Sequence, residues 1–229
     1  MIDDLVSANH ILYRQGVVDG FGHVSVRSER DPQRFLLARS MAPALVTAAD
    51  IIEFDLDGNA IDAGGRNVYL ERFIHGAIYK RRPDVTSVIH SHSPSVIPFG
   101  VTGTSLRPLY HMSGFLGAGS PIFDIRAEAG MTDMLIRDNR LADALARALG
   151  GADFVLMRGH GSVAVGRSIR HAVYRAVYAE INARLQAEAT RLGAVTFLHP
   201  EEARKAAETN DAALTRAWEL WKREARAVE

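Results

Sequence analysis

Two pairs of strand-like segments in this chain are joined by links that are too short to contain a crossover helix. The segment HVSVRS (23–28) is followed after a polar turn by RFLLAR (34–39), and FVLM (154–157) is followed after a glycine loop by GSVAVG (161–166). Parallel neighbours need a connection of roughly a dozen residues or more, whereas antiparallel neighbours need only a turn. The sequence therefore predicts a mainly antiparallel sheet.

Helical patterns surround these strands and place the chain in the α/β class. Helices are predicted at residues 2–16, Tyr69–Arg82, Asn139–Leu149, Ser168–Leu192 and Glu201–Val228. Further strands are predicted at IIEFDL (51–56), Val85–Ser93, PLYHMS (108–113) and PIFDIR (121–126). No internal repeat or flexible linker interrupts the sequence, so we expect one domain over residues 1–229.

The composition argues against several classes of partner and site. Lys and Arg number 27, as do Asp and Glu, so nothing in the charge balance favours nucleic acid or an anionic membrane as a partner. Cysteine is absent, which excludes disulfides and thiolate metal ligands. No apolar run is long enough to span a bilayer, and the acidic start is unlike a signal peptide. We therefore expect a cytoplasmic protein.

Two histidines stand one residue apart in the strand-like stretch VIHSHSP (88–94). Residues i and i+2 of a strand point to the same face, so His90 and His92 can hold one metal ion together. A third histidine, His160, lies between glycines, which allow close backbone approach and present the ring rather than pack it. Each signal alone also fits a surface or core histidine. Together they offer three nitrogen donors and leave a coordination position open for substrate or water.

One carboxylate precedes this histidine pair. Glu71 lies in VYLERFIHG, on the helical segment that leads directly into the histidine strand. It can fill a fourth metal position, or act as an acid or base towards a bound substrate. The ordinary alternative is an exposed glutamate in a first helical turn. His75, one turn further, can orient Glu71, although a core histidine bonded to the backbone is the preferred interpretation.

In this order and spacing, Glu71, His90-x-His92 and Gly159-His160-Gly161 resemble the class II aldolase/adducin family. The resemblance covers essentially the whole chain, and it implies a three-layer α/β/α domain around a mainly antiparallel sheet. It also implies that the three histidines bind one divalent metal per subunit, with Zn²⁺, Mn²⁺ and Fe²⁺ left open, and that Glu71 is the catalytic acid or base. A homotetramer with sites near subunit interfaces is implied as well.

Three places differ from the sugar-phosphate aldolases of this family. Those members carry a Gly-Asn turn, a Thr-Gly turn and a Ser-Ser pair, whose small polar groups cradle a phosphate. In their places stand Gly22-His23, Ser40-Met41 and Asn67-Val68. Bulkier and apolar side chains have replaced the cradle, so we expect a phosphorylated sugar to fit poorly.

Cationic and aromatic side chains stand near the same loops and suit a carboxylated ring. Guanidinium groups bind carboxylates in a bidentate manner. The predicted substrate-binding residues are Phe21, His23, Arg39, Ser40, Arg66 and Phe115. For Arg39 and Arg66 the common alternative is a solvated loop arginine. These segments resemble the branch of the family that contains metal-dependent decarboxylases of hydroxylated aromatic dicarboxylates.

This branch implies a carbon–carbon lyase that removes CO₂ from a hydroxylated aromatic (di)carboxylate without oxidation. Aldol cleavage and such a decarboxylation both leave electrons that a Lewis-acidic metal can hold as an enolate. Glu71 is the first candidate for returning a proton to the ring carbon, and His111 is the second. For His111, a strand-end histidine without a role is an equally good interpretation.

Three other functions stay open. The chain can be a class II aldolase that cleaves a sugar or sugar phosphate, a non-catalytic adducin-like binding module, or a protein that uses Fe²⁺ for oxygen chemistry. The intact set of three histidines and Glu71 argues against a binding module, which needs no open metal site. Trp218 and Trp221 fit either an oligomer interface or packing of the last helix on its own domain.

Overall fold

Seven strands form one sheet in the computed structural model, which describes residues 1–226 and the side chains of residues 1–225. The strands are β1 His23–Arg27, β2 Arg34–Ala38, β3 Ile51–Asp55, β4 Ser87–Ser91, β5 Ile122–Phe123, β6 Phe154–Met157 and β7 Gly161–Gly166. Their order across the sheet is β3-β2-β1-β4-β7-β6-β5. Among these strands only β5 and β6 pair in parallel, so the prediction of a mainly antiparallel sheet is confirmed.

Helices cover both faces of this sheet. They are α1 Ile2–Arg14, α2 Phe73–Arg81, α3 Ile97–Val101, α4 Arg126–Ala129, α5 Asn139–Leu149, α6 Ile169–Leu192, α7 Pro200–Asp211 and α8 Leu214–Arg226. One apolar cluster packs α1, α6 and α8 against the sheet, and a second packs α2 and α5 against the other face. Consecutive strand residues follow this division, since Val88 belongs to the second cluster and Ile89 to the first. The predicted three-layer α/β/α fold is therefore confirmed.

The predicted strand PLYHMS is wrong. Residues His111–Leu116 form a 3₁₀ helix, and the extended backbone before them pairs with side chains of α6 rather than with a strand. Asn182 accepts a hydrogen bond from the Leu109 amide and donates one to the Arg107 carbonyl. Gln186 accepts one from the Arg107 amide in the same way. Two buried amide side chains therefore satisfy the backbone groups that a neighbouring strand would otherwise use.

The helix predicted over Glu201–Val228 is two helices, α7 and α8, and Val228 lies outside the described residues. The break redirects the chain so that Trp218 and Trp221 pack in the cluster with α1 and α6, where they are 2% and 8% exposed. These tryptophans therefore pack the last helix on its own chain. The tetramer and the single domain over residues 1–229 stay predictions. None of the helices within residues 1–226 is both long and apolar enough to cross a membrane.

Candidate metal centre

The first two histidines lie at the end of β4, in the middle of the sheet. His90 pairs with His23 of β1 on one side and with Val163 of β7 on the other, and its side chain is buried. The strand ends at Ser91, earlier than predicted, so His92 is the first residue beyond it. The two imidazole rings are nevertheless neighbours, with centroids 5.0 Å apart, as the i, i+2 spacing predicts.

Two glycines bring the third histidine to the same place. Gly161 opens β7 so close to β4 that a Cβ atom there would lie 2.1 Å from the Ser91 carbonyl oxygen, which a real side chain cannot do. Gly159 has φ of 64°, a left-handed conformation that costs glycine little. The glycine-flanked turn therefore sets the His160 ring 4.9 Å from His90 and 5.1 Å from His92, measured between centroids.

Glu71 reaches this point from a kink rather than from a regular helix. The predicted helix Tyr69–Arg82 begins as a 3₁₀ turn, Leu70–Arg72, in which Glu71 has φ −91° and ψ 18°, before α2 starts at Phe73. The side chain of Glu71 is buried, contrary to the alternative of an exposed glutamate. Its Oε1 atom accepts a hydrogen bond of 2.8 Å from the Ile136 amide. This bond holds the carboxylate and leaves Oε2 available.

The donor atoms of Glu71, His90, His92 and His160 all lie within 4.8 Å of one another. The Oε2 atom of Glu71 lies 3.4 Å from Nε2 of His90 and 3.4 Å from Nε2 of His160. The Nε2 atoms of His92 and His160 are 3.1 Å apart. Four potential ligands therefore converge on one position.

The hydrogen bonds at Nδ1 of His90 and of His160 show which nitrogen of each ring carries the proton. Nδ1 of His90 lies 3.1 Å from the Ser162 carbonyl, and Nδ1 of His160 lies 3.0 Å from the Met134 carbonyl. A carbonyl only accepts, so in both rings the proton sits on Nδ1 and the lone pair on Nε2 points to the common position. The buried Nε2 atom of His90 has no hydrogen-bond partner. Imidazoles held in this way fit a divalent metal.

Met134 adopts an unusual backbone conformation where it supports His160. Among the described residues it alone, apart from glycines, has a positive φ, of 69°. For a side chain of this kind the left-handed region costs roughly 1–2 kcal/mol. The segment that contains it supplies both the carbonyl that fixes the His160 tautomer and, at Ile136, the amide that holds Glu71. Backbone strain therefore coincides with the support of two members of the cluster, His160 and Glu71.

The groups of the cluster shift one another's pKa values. Burial alone would raise the pKa of Glu71, but the adjacent His90 and His160 hold it well below its usual range. Burial, followed by repulsion from His90 and His160, lowers the pKa of His92 to about 4. Burial acts in the same direction on His160, yet the adjacent Glu71 carboxylate raises the pKa of this ring. An ionised carboxylate beside imidazoles is a donor set that attracts a cation.

A cavity of about 460 Å³ opens over the cluster. It is lined by Glu71, His90 and His92 and by three of the predicted substrate-binding residues, which are Phe21, His23 and Ser40. Met41 and Tyr69 complete much of the wall. Phe21 is 70% exposed at the rim, and its ring centroid lies 6.5 Å from that of His92.

The other predicted residues lie elsewhere in the single chain. Arg39 forms an ion pair with Asp50. The Arg66 guanidinium donates to four backbone carbonyls, those of Asp62 and Ala63 in its own loop and those of Ala49 and Ile51 near the start of β3. Phe115 is 8% exposed and belongs to the core cluster with α6. His111 is exposed at the start of its 3₁₀ helix and does not line the cavity. The structure therefore does not bring these four to the metal position, and their roles stay predictions.

Four buried polar side chains next to the cavity form a hydrogen-bonded set that was not predicted from the sequence. His23 and Ser25 are two residues apart on β1, and His75 and Tyr79 are four residues apart on α2. Such spacings place each pair on one face of its element, a signal that the sequence does contain. His75 does not contact Glu71 through a hydrogen bond; it bonds with side chains of β1 instead of with the backbone.

A family model described as the class II aldolase and adducin N-terminal domain matches residues 3–187. The chain is 39% identical to decarboxylase tropJ of Talaromyces stipitatus, over 96% of this chain and 91% of that protein. It is 30% identical to 3,4-dihydroxyphthalate decarboxylase of Arthrobacter keyseri, over 81% of this chain and 77% of that protein.

Among solved structures, the fold is similar to that of L-fuculose 1-phosphate aldolase from Glaciozyma antarctica. The TM-score is 0.81 at 22% identity, over 100% of this chain and 89% of that one. At this identity the similarity establishes the architecture alone, and the architecture agrees with the sheet and helix layers described above. The matching domain and the relative that is 39% identical over 96% of the chain lead to one conclusion: the chain belongs to the class II aldolase and adducin family.

Proposed function

We propose that this chain is a metal-dependent decarboxylase that removes CO₂ from a hydroxylated aromatic carboxylate or dicarboxylate. The observation that carries the proposal is the 39% identity with a decarboxylase over 96% of the chain. The relative named as acting on 3,4-dihydroxyphthalate supports an aromatic dicarboxylate as the substrate class. The converging Glu71 and histidines support the metal dependence.

The cavity wall supports a carboxylated ring over a sugar phosphate. Met41 and Tyr69 present apolar surface beside Ser40, where a phosphate cradle would need small polar groups. The volume of about 460 Å³ lies within the range of roughly 300–1,000 Å³ that is usual for small-molecule sites. Phe21 at the rim can stack on a planar ring. A dianionic phosphate placed here would find fewer small polar donors in the lining than a Thr-Gly turn and a Ser-Ser pair would supply.

Glu71 can move the proton that replaces the departing carboxylate on the ring. A divalent cation held by His90, His92 and His160 would act as a Lewis acid towards the substrate oxygens. The Glu71 carboxylate accepts the proton of the ring hydroxyl and returns it to the ring carbon that bears the carboxylate. The bond between that carbon and the carboxylate then breaks, CO₂ leaves, and the electron pair returns to the ring oxygen, which takes a proton from water.

Glu71 is the proton carrier that we propose, ahead of His111. Its Oε1 atom is fixed by the Ile136 amide, so Oε2 keeps a constant position in the cavity wall. His111 is exposed and lies outside the cavity of the single chain. We further propose one divalent ion per chain, a homo-oligomer and a cytoplasmic location, on the basis of the family resemblance and the composition.

Two other functions compete with this one. The fold similarity to a sugar-phosphate aldolase is compatible with retro-aldol cleavage. A non-catalytic module is compatible with the adducin part of the family. The buried Glu71 carboxylate and the unpartnered Nε2 atom of His90 weigh against the second. Burying such groups without a ligand costs free energy of folding, and a non-catalytic module would gain nothing from it.

A substrate panel tests the proposal. The protein, loaded separately with Zn²⁺, Mn²⁺ or Fe²⁺, is incubated with ortho-hydroxylated benzoates and phthalates and with fuculose and ribulose phosphates, while CO₂ and aldehyde release are followed separately. We expect CO₂ release from a hydroxy-aromatic acid to exceed aldehyde release by more than about a hundredfold, because two lost charge-assisted bonds cost roughly 3 kcal/mol or more. Efficient aldehyde release from a sugar phosphate would instead establish an aldolase.

A further inference from the structure

Four buried side chains form a continuous hydrogen-bonded chain that ends in the cavity wall. The Tyr79 hydroxyl lies 2.7 Å from Oγ of Ser25, and the same Oγ lies 2.7 Å from Nδ1 of His75. Nε2 of His75 lies 2.6 Å from Nδ1 of His23. His23 also lines the cavity, and its ring centroid is 5.1 Å from that of His90. We call Tyr79, Ser25, His75 and His23 the relay. It connects the core behind β1 with the place where substrate would bind.

The Tyr79 end sets the direction of the relay. Burial raises the pKa of Tyr79 well above its usual value, so the hydroxyl keeps its proton and must donate it. Two acceptors are near: Oγ of Ser25 at 2.7 Å, a normal length for such a bond, and the Thr86 carbonyl at 3.5 Å. The hydroxyl therefore donates to Ser25, and the Ser25 hydroxyl has its own proton left for Nδ1 of His75.

The remaining links follow from the capacity of a neutral imidazole. Burial, followed by repulsion from His90, lowers the pKa of His75 to about 3, so its ring carries a single proton at neutral pH. Because Nδ1 of His75 accepts from Ser25, this proton sits on Nε2 and is donated to Nδ1 of His23. His23 accepts at Nδ1 and must carry its own proton on Nε2. Among the described residues, Nε2 of His23 has no hydrogen-bond partner.

We propose that Tyr79, Ser25 and His75 are positioning residues that fix His23 as a neutral N–H donor in the cavity, where its Nε2 atom binds a carboxylate oxygen of the substrate. The substrate class rests on the proposed function, whereas the tautomer of His23 does not. A donor fixed in this way recognises acceptors and cannot serve as a base. His23 therefore selects a substrate oxygen beside the metal position rather than moving the proton, which is the task of Glu71.

A purely structural network is the alternative. In that case the four groups satisfy one another in the core, and the tautomer of His23 has no consequence for ligands. The two interpretations differ at Nε2 of His23, which the structural network leaves unused. They can be separated by a spectroscopic measurement on the ring and by ligand binding.

Nitrogen NMR of the zinc-loaded full chain, with ¹⁵N-labelled histidine, tests the tautomer. The His23 signals are assigned by their loss in His23→Gln. We expect the protonated nitrogen of His23 to be Nε2 in the wild type and in Ser87→Ala, which removes a buried serine of the neighbouring strand that lies outside the relay. In Ser25→Ala we expect a mixture of both tautomers. A His23 protonated at Nδ1 in the wild type, or unchanged signals in Ser25→Ala, would overturn the proposal.

Calorimetric titration with phthalate, a dicarboxylate without the reacting hydroxyl, tests the consequence for ligands. We expect His23→Phe to weaken binding at least tenfold, because a hydrogen bond to a charged oxygen is lost. His23→Gln, which retains an amide N–H at a similar distance, should bind within about threefold of the wild type. Tyr174→Phe removes another buried hydroxyl, bonded to the Met112 carbonyl, and should bind like the wild type. Wild-type binding by His23→Phe would contradict the role of His23.

Combining these two measurements with the substrate panel distinguishes a failure of the relay proposal from a failure of the decarboxylase proposal. If the panel shows no decarboxylation but His23 keeps its Nε2 proton and His23→Phe loses phthalate, the decarboxylase proposal fails and the relay stands. If decarboxylation occurs in both the wild type and His23→Phe with equal KM, the relay proposal fails and the decarboxylase stands. Unfolding temperatures of all variants identify any that are merely misfolded, and His23→Gln serves as the conservative substitute in that case.

Discussion

Histidines at two places in this molecule have largely buried side chains and opposite hydrogen bonding. In the metal cluster, His90 and His160 use Nδ1 on backbone carbonyls and turn Nε2 to a shared position, where Nε2 of His90 has no hydrogen-bond partner. His171, near the start of α6, has both ring nitrogens engaged: Nδ1 with the Ser168 hydroxyl at 2.7 Å and Nε2 with the Arg167 guanidinium at 3.1 Å.

This difference shows that partners, rather than burial, distinguish the two kinds of histidine. The surroundings of His171 satisfy it without any further ligand, so a structural role accounts for it fully. The candidate metal cluster of Glu71, His90, His92 and His160 brings together nitrogen lone pairs and a carboxylate oxygen without matching hydrogen-bond donors. A folded chain tolerates such an arrangement when a bound cation supplies the missing positive charge. Each prediction below perturbs one side of this comparison.

Glu71→Gln should have the largest effect. We expect turnover on the best hydroxy-aromatic substrate to fall by roughly a hundredfold to ten-thousandfold, the usual range for loss of a general acid or base. The amide oxygen can still accept from the Ile136 amide, so the side chain should stay in place and the metal should be retained. Steady-state kinetics and metal analysis on the same sample measure both.

Glu53→Gln is the matched control for this substitution. Glu53 lies on β3 at the edge of the sheet, in an ion pair with Arg34, and we expect it to leave turnover unchanged. If Glu71→Gln retained wild-type turnover with metal bound, Glu71 would not be the proton carrier.

Gly161→Ala should have an intermediate effect, on stability. A Cβ atom at this position would lie 2.1 Å from the Ser91 carbonyl oxygen, so β4 and β7 must move apart beside the metal cluster. We expect the free energy of unfolding to fall by about 1–3 kcal/mol, as for other overpacked sites. Gly151→Ala, where nothing lies within 4 Å of the new atom, should change it by less than about 0.5 kcal/mol. Equal values for the two variants in urea denaturation would refute the close approach.

The smallest expected effect concerns the pH dependence of His171. Burial, with repulsion from Arg175 and Arg167 and despite attraction from Asp211, lowers its pKa from 6.5 to about 4. As the pH falls from about 6.5 towards 4, the unfolded chain takes up this proton before the folded one does, so stability is lost. We expect the wild type to lose more unfolding free energy than His171→Gln between pH values of about 7 and 4.5. If urea denaturation showed the same loss of unfolding free energy for the wild type and His171→Gln over this pH range, this pKa would be contradicted.

The layers, the antiparallel sheet and the convergence of Glu71 with the three histidines could be predicted because they depend on local signals. Short links and strand periodicity define the sheet, and His90, His92 and His160 carry spacing and glycine signals of their own. These signals act over a few residues, and the family resemblance joined them into one site.

The support of the site could not be predicted, because backbone atoms provide it. The carbonyls of Met134 and Ser162 and the amide of Ile136 hold the side chains of His160, His90 and Glu71, and a backbone group leaves no mark in the choice of residue. The strand predicted at PLYHMS was wrong for a related reason, since side chains from α6 replaced a neighbouring strand. Arg66 was predicted to bind substrate from its charge and its place near these loops; its guanidinium donates to backbone carbonyls, such as those of Ala49 and Asp62, which the sequence does not reveal.

The metal content of two histidine variants tests the central claim most directly. His92→Ala and His171→Ala are each loaded with Zn²⁺ or Mn²⁺, dialysed and measured by elemental analysis, with circular dichroism to confirm that both are folded. We predict about one ion per chain in the wild type and in His171→Ala, and loss of retained metal in His92→Ala. Of the two substituted histidines, only His92 lies with Glu71, His90 and His160. Full occupancy in His92→Ala, or no retained ion in the wild type, would contradict this account.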